Sequence, residues 1–145
     1  MADRYATSSM TAQRRPLFPT LMTFPAACFI GALITDVAYA KSYEMTWETF
    51  SVWLITAGLV VAGIALVVGL FQAFAQRRWP TRVQMLGYVV VLILSLFNAF
   101  VHSRDGYTSV VPTGLTLSAL VVVVLLVMGV LGRSGFTARR AGATI

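Results

Sequence analysis

The sequence predicts an all-α protein in which four transmembrane helices form an antiparallel, up-down-up-down bundle, a single membrane domain over residues 1–145. Three observations lead there. Hydrophobic residues make up 58% of the chain and charged ones 11%, far below the soluble norm of about 25% charged. The apolar residues gather in four runs, and the charges gather between them. No run alternates with the period of two that a barrel strand shows, and in hydrocarbon only helices and closed barrels satisfy every backbone N–H and C=O.

A helix needs about 20 mostly apolar residues to cross the hydrocarbon. Residues 21–40, 53–75, 83–101 and 110–132 meet that requirement, leaving tails at 1–14 and 134–145 whose Ala, Ser, Thr, Gly and Arg predict flexibility. The first run ends in "GALITDVAYAKS", and upstream lie Arg14 and Arg15. Two accounts compete for it: a secretory signal cleaved after Ala40, or a retained helix carrying a carboxylate, Asp36. The run is longer than the usual h-region of about 7–15 residues, and Pro16, Pro19 and Pro25 punctuate its start; retention is the reading adopted. Small residues recur at four-residue spacing on this helix, in the rows Thr23, Ala27, Gly31, Thr35 and Cys28, Ala32, Asp36, Ala40. Such rows let helix backbones approach closely in apolar solvent, so Asp36 belongs to the packing side.

The second helix repeats the device with Gly58, Ala62, Ala65, Gly69 and Ala73. On the third, Gln84, Gly87, Val91, Ser95, Asn98 and His102 follow one another by three or four residues and form one stripe. The fourth contains "ALVVVVLLVMGVLG"; its β-branched residues favour strand in a soluble protein, but its length favours a spanning helix. The connections "QRRWPTR" and "HSRDGYTS" are short enough to require antiparallel neighbours.

The net charge of +6 is distributed by side, not gathered on one face. Arg4, Arg14, Arg15, Arg77, Arg78, Arg82, Arg133, Arg139 and Arg140 flank one end of the helices, against Lys41 and Arg104 at the other. The positive-inside rule then places both termini in the cytoplasm, with Lys41–Val52 and His102–Ser109 outside. Trp47 and Trp53 at the outer boundary and Trp79 at the inner one suit an interfacial aromatic belt. This segregation argues against a nucleic-acid partner and for the lipid bilayer as the first partner. Cys28 is the only cysteine, so neither a disulfide nor a thiolate cluster forms within one chain.

The candidate polar cluster is Asp36, Asn98, His102, Arg104 and Asp105, all near the outer helix ends. A carboxylate within a spanning helix costs up to about 2.5–3.5 kcal/mol at mid-bilayer and less near an end, so Asp36 calls for a partner. An Asp36–Arg104 pair, with the Asn98 amide donating to the acid, would keep it ionised; an Asp36–His102 pair would instead respond to protons. Glu44, Glu48, Tyr39, Tyr43 and Tyr107 lie at the same end. An acid at an outer helix end paired to an Arg of the neighbouring loop reads first as an assembly device, with a quinone, proton or substrate site second and snorkelling to water without a partner third. His102 is the only histidine, which excludes bis-histidine haem within one subunit and a multi-histidine metal site. No nucleotide loop, zinc motif or Ser/His/Asp arrangement is present, so no catalytic or metal-ligating residue, cofactor or enzymatic activity is expected.

With those residues identified, the chain resembles a bacterial family of small inner-membrane proteins, domain-of-unknown-function family 2231, from about Arg15 to Gly132. "RPLFPTLMTFPA" is similar to the family's His-Pro-Leu-His-Pro opening and Phe-Pro start of its first helix. The family's aspartate falls on Asp36, its Asn, Arg, Gly pattern on Asn98, Arg104 and Gly106, and its Leu-Ser on Leu117 and Ser118. "AGLVVAGIALVVGL" resembles its second helix and "GVLGR" its closing Gly-Trp-Leu-Gly-Gly. Arg15, Phe18 and Thr23 stand where the family often has histidine, and Val130 and Arg133 replace a tryptophan and a glycine, so no haem or metal role carries over. The resemblance implies a bacterial inner-membrane location, and relatives often encoded beside periplasmic quinoprotein sugar dehydrogenases.

The functional expectation is a non-enzymatic multi-pass subunit or anchor docking a periplasmic dehydrogenase or cytochrome, with a quinone nearby. Two alternatives stand beside it. One is a small proton-linked transporter, which the apolar midplanes "ALVVG" and "VVVLL" disfavour in a monomer. The other is a purely structural accessory of a larger membrane complex or homo-oligomer.

Overall fold

A computed structural model describes the backbone of residues 20–76, 82–104 and 110–141. Its helices are α1 (Thr23–Ser42), α2 (Met45–Gln76), α3 (Arg82–His102) and α4 (Leu115–Ala141), with no strand among the described residues. Four spans are long and apolar enough to cross a membrane, Thr23–Ser42, Met45–Ala75, Arg82–His102 and Val110–Gly132, the last beginning five residues before α4. The predicted tail 1–14 and Trp79 lie outside the described residues.

Two boundaries correct the sequence reading. First, α2 begins at Met45, not Trp53, so most of the expected outer loop is helix. Only Tyr43 and Glu44 separate α1 from α2. Tyr43 adopts the left-handed conformation (φ 55°), and its N–H donates to the Tyr39 carbonyl at 2.7 Å. That conformation usually selects glycine. Here the Tyr43 ring packs edge-on against Tyr39, centroids 6.3 Å apart, and the Glu44 N–H donates to Ser42 Oγ at 3.3 Å. Second, the α4 backbone stays helical to Ala141, past the predicted end at Gly132 and into the predicted flexible tail. Before α4, Val110–Gly114 forms an irregular turn in which Val111 is extended (φ −114°, ψ 122°) and the Val111–Pro112 bond is cis.

Small residues set the packing. Ala32 of α1 and Ala62, Ala65 and Ala73 of α2 are buried, while Val60, Ile64, Val67, Phe71 and Phe74 are exposed. In a membrane this inversion suits helices whose large apolar residues meet lipid and whose small ones meet each other. Phe29, Val91 and Val121 form the central cluster, flanked by Leu59, Leu94, Val124, Leu125 and Met128. Gly31 faces Leu54, and Gly58 faces Cys28 and Phe29. On the other pair, Asn98 meets Ser118 and Gly87 meets Met128. In both pairs the contacts descend one helix as they ascend the other.

These glycines differ in how much their neighbours can yield. A Cβ at Gly58 would lie 2.8 Å from Phe29 Cε1 and 3.1 Å from Cys28 Cβ, the latter fixed to the α1 backbone. The atoms nearest a Cβ at Gly87 would be Cγ, Sδ and Cε of Met128, a side chain with the rotatable bonds to move aside. Thermal denaturation in detergent should therefore show Gly58→Ala losing about 1–3 kcal/mol and Gly87→Ala less than about 1 kcal/mol.

Candidate functional site

Asp36 is fully buried, about 9 Å along α1 from its last residue, Ser42, at 1.5 Å per residue. It lies one turn beyond Ala32 and two beyond Cys28, both buried, so helical spacing alone carries it inward. Each of the other helices sends it a partner. Ser51 of α2 donates its hydroxyl to Asp36 Oδ1, and Ser118 of α4 donates to Oδ2. From α3, His102 Nε2 lies 3.0 Å from Oδ1. Asn98, one turn before His102, donates its Nδ2 to Ser118 Oγ at 2.7 Å. A directed chain results, from Asn98 to Ser118 to Asp36.

The ring orientation of His102 follows from its neighbours. Nδ1 lies 2.9 Å from the Asn98 carbonyl, which only accepts, so Nδ1 carries a proton. On the other side, Nε2 faces a carboxylate oxygen at 3.0 Å, and a proton must lie between them for that contact to be a hydrogen bond. Aspartate with imidazolium, and aspartic acid with neutral imidazole, both supply it; in either form the pair is neutral overall. Neutrality suits the location, because an unpaired charge in a low-dielectric interior costs several kcal/mol. Gly114 completes the fit: a Cβ there would lie 2.8 Å from His102 Cε1 and 3.3 Å from Nδ1, so the turn before α4 closes directly on the ring.

Of the five residues expected from sequence, Asp36, Asn98 and His102 come together. Arg104 does not join them: it is exposed, two residues beyond the end of α3, and the Asp36 oxygens are taken by Ser51, His102 and Ser118. Of the two pairings the sequence offered, Asp36–His102 forms and Asp36–Arg104 does not. The Asn98 amide also reaches the acid through Ser118, not directly. Asp105 lies outside the described residues. Tyr39 is buried, Glu48 half-buried, and Glu44 and Tyr43 are exposed.

Sequence reasoning missed Ser51 and Ser118 as members of the cluster. Ser51 was hidden by placing the start of α2 too late. Ser118 had a signal, since it and Thr116 are the only hydroxyl residues of α4 before Ser134. A polar side chain in so apolar a helix calls for a partner.

The cluster differs from a nucleophilic triad. There the base accepts the nucleophile's proton on one ring nitrogen and is oriented by the acid through the other. Here Ser51 and Asp36 both face Nε2, at 3.3 and 3.0 Å, and the Ser51 proton is directed to Asp36. Among the described residues, no three of His, Cys, Asp and Glu gather as metal ligands. What the arrangement does chemically is tie four helices together through one carboxylate and hold one proton between Asp36 and His102.

Comparison with known proteins adds the family. No curated protein and no solved structure matches the chain. One family model, described as a predicted membrane protein (DUF2231), matches residues 14–142, nearly the whole chain. This protein belongs to that family of membrane proteins, whose function is unknown.

Proposed function

We propose that this protein is a non-enzymatic multi-pass subunit or anchor of the bacterial inner membrane, threaded up-down-up-down with both termini in the cytoplasm, that docks a periplasmic redox partner. The observation that carries this reading is the inward direction of its polar chemistry. Asp36, Ser51, Asn98, His102 and Ser118 are buried and turned toward one another. The same end of the bundle displays Tyr43, Met45, Trp47, Phe50 and Trp53, with the exposed charges of Lys41, Glu44 and Arg104 among them. A site for catalysis presents converging groups to a substrate. In this protein the converging groups hold the scaffold, and the aromatic and charged rim is the surface offered outward, a composition that suits interfaces and membrane boundaries alike.

The class of partner, a dehydrogenase or cytochrome, follows from the genomic neighbourhood that the family resemblance implies. A quinone, being lipid-soluble, would approach the rim from the bilayer. The test is site-specific photo-crosslinking in native membranes, with the probe at Trp47 on the rim and, as control, at Val67 on the lipid-facing side of α2. The proposal expects a periplasmic redox protein crosslinked from position 47 and not from 67. Repeated recovery of this chain alone, or of another inner-membrane protein, would favour the purely structural reading. A proton-linked carrier has less support, because the polar groups are confined to one end of the bundle while its middle is packed with Phe29, Val91 and Val121.

A further inference from the structure

We propose that Ser95 and Asn98 form an internal hydration site, holding one water molecule on the inner side of the Asp36 cluster. Both side chains are almost wholly buried, and Ser95 Oγ and Asn98 Oδ1 have no hydrogen-bond partner in the protein. They lie one turn apart on α3 and share a gap bounded by Phe29, Ile55, Ser118 and Val121. Buried polar atoms are seldom left unpaired, and two within one gap require a common explanation.

The behaviour of the other hydroxyls sharpens the point. Thr35, Ser42, Thr49 and Thr56 all donate to the carbonyl four residues before them, the usual resort of a hydroxyl within a helix. Ser95 makes no such bond. Nor does turning the Asn98 amide over remove the orphan. With Oδ1 toward Ser118, the Ser118 hydroxyl would have to donate to Asn98 and abandon Asp36, and the unpaired atom would become Nδ2. The direction of the chain from Asn98 to Ser118 to Asp36 therefore keeps an acceptor facing the gap.

A water fits this set chemically. It donates to Asn98 Oδ1, exchanges a hydrogen bond with Ser95 Oγ, and has the remaining lone pair of Ser118 Oγ as a third partner, and buried waters typically make about three such bonds. The space among these side chains admits no water-sized sphere at their present positions. Phe29 and Ile55 must therefore yield slightly to admit the molecule. The apolar lining residues offer no competing donor. In the hydrated site the water holds the Asn98 amide in the orientation that feeds Asp36.

The sign of one substitution tests this. Were the gap dry, Ser95→Ala would remove an uncompensated buried hydroxyl and raise Tm. With the bridging water present, it removes one of that water's partners, and the expected result is a fall of about 3 °C or more. A rise or no change overturns the proposal. The second measurement needs no variant: a map of the unaltered protein at a resolution that shows ordered waters. Density within hydrogen-bonding distance of both Ser95 Oγ and Asn98 Oδ1 supports the site. A Ser95 hydroxyl turned to the Val91 carbonyl with no density between the two residues overturns it, whatever the variant does.

Discussion

Replacing Asp36 with alanine lowers the stability of the bundle by about 3–5 kcal/mol, the cost of removing one member of a buried, hydrogen-bonded acid–base pair. Three groups lose their partner at once: the Ser51 and Ser118 hydroxyls and His102 Nε2 all converge on this acid. His102→Ala has a cost of the same order, because it leaves the buried acid without the imidazole with which it shares a proton. The double variant is expected to fall short of the sum by at least about 0.5 kcal/mol, since each single change already destroys the shared contact. Asp36→Asn should cost less, about 1–3 kcal/mol. Its amide oxygen still accepts from a serine, and its NH₂ can donate to an unprotonated Nε2. Equilibrium unfolding in mixed detergent micelles checks the series. Near-neutral behaviour of Asp36→Ala would show that the acid is not the joint of the four helices.

Gly114→Ala is the second large effect, about 1–3 kcal/mol by overpacking. The added methyl would sit 2.8 Å from His102 Cε1, and the ring cannot retreat, because Nδ1 and Nε2 are both engaged. The contrast with Gly87, where the obstructing group is the end of a flexible methionine, makes the prediction specific. Thermal denaturation should rank Gly114→Ala well below Gly87→Ala. The added His102→Ala change should remove most of the Gly114→Ala penalty, because the methyl then occupies space the ring has left.

The four helices were legible because length and hydropathy dominate in a membrane, where the backbone has few alternatives. The inward placement of Asp36, Asn98 and His102 was legible for a related reason: helical spacing aligned them with small residues. Three things were not. Ser51 was obscured because α2 starts with the mixed sequence "MTWETFSV", whose polar residues mimic a loop, and because Tyr43 makes the turn without the glycine that would have marked it. Ser118 was named only through the family resemblance, since one hydroxyl in a valine-rich helix reveals nothing of which neighbour it meets. Arg104 was over-read because opposite charge is the simplest partner for an acid. The histidine at the end of α3 reaches the acid first, at the cost of one shared proton instead of a full cation.

The joint at Asp36 draws on every helix, and that has a consequence for how the chain matures. During synthesis α1, α2 and α3 are complete before Ser118 exists, so Asp36 Oδ2 has no donor from α4 until the last helix is made. Nascent chains arrested before α4 would carry an incompletely satisfied carboxylate in or near the bilayer. The final helix thus supplies the last donor to the joint, and the four-helix contact is complete only once it is in place.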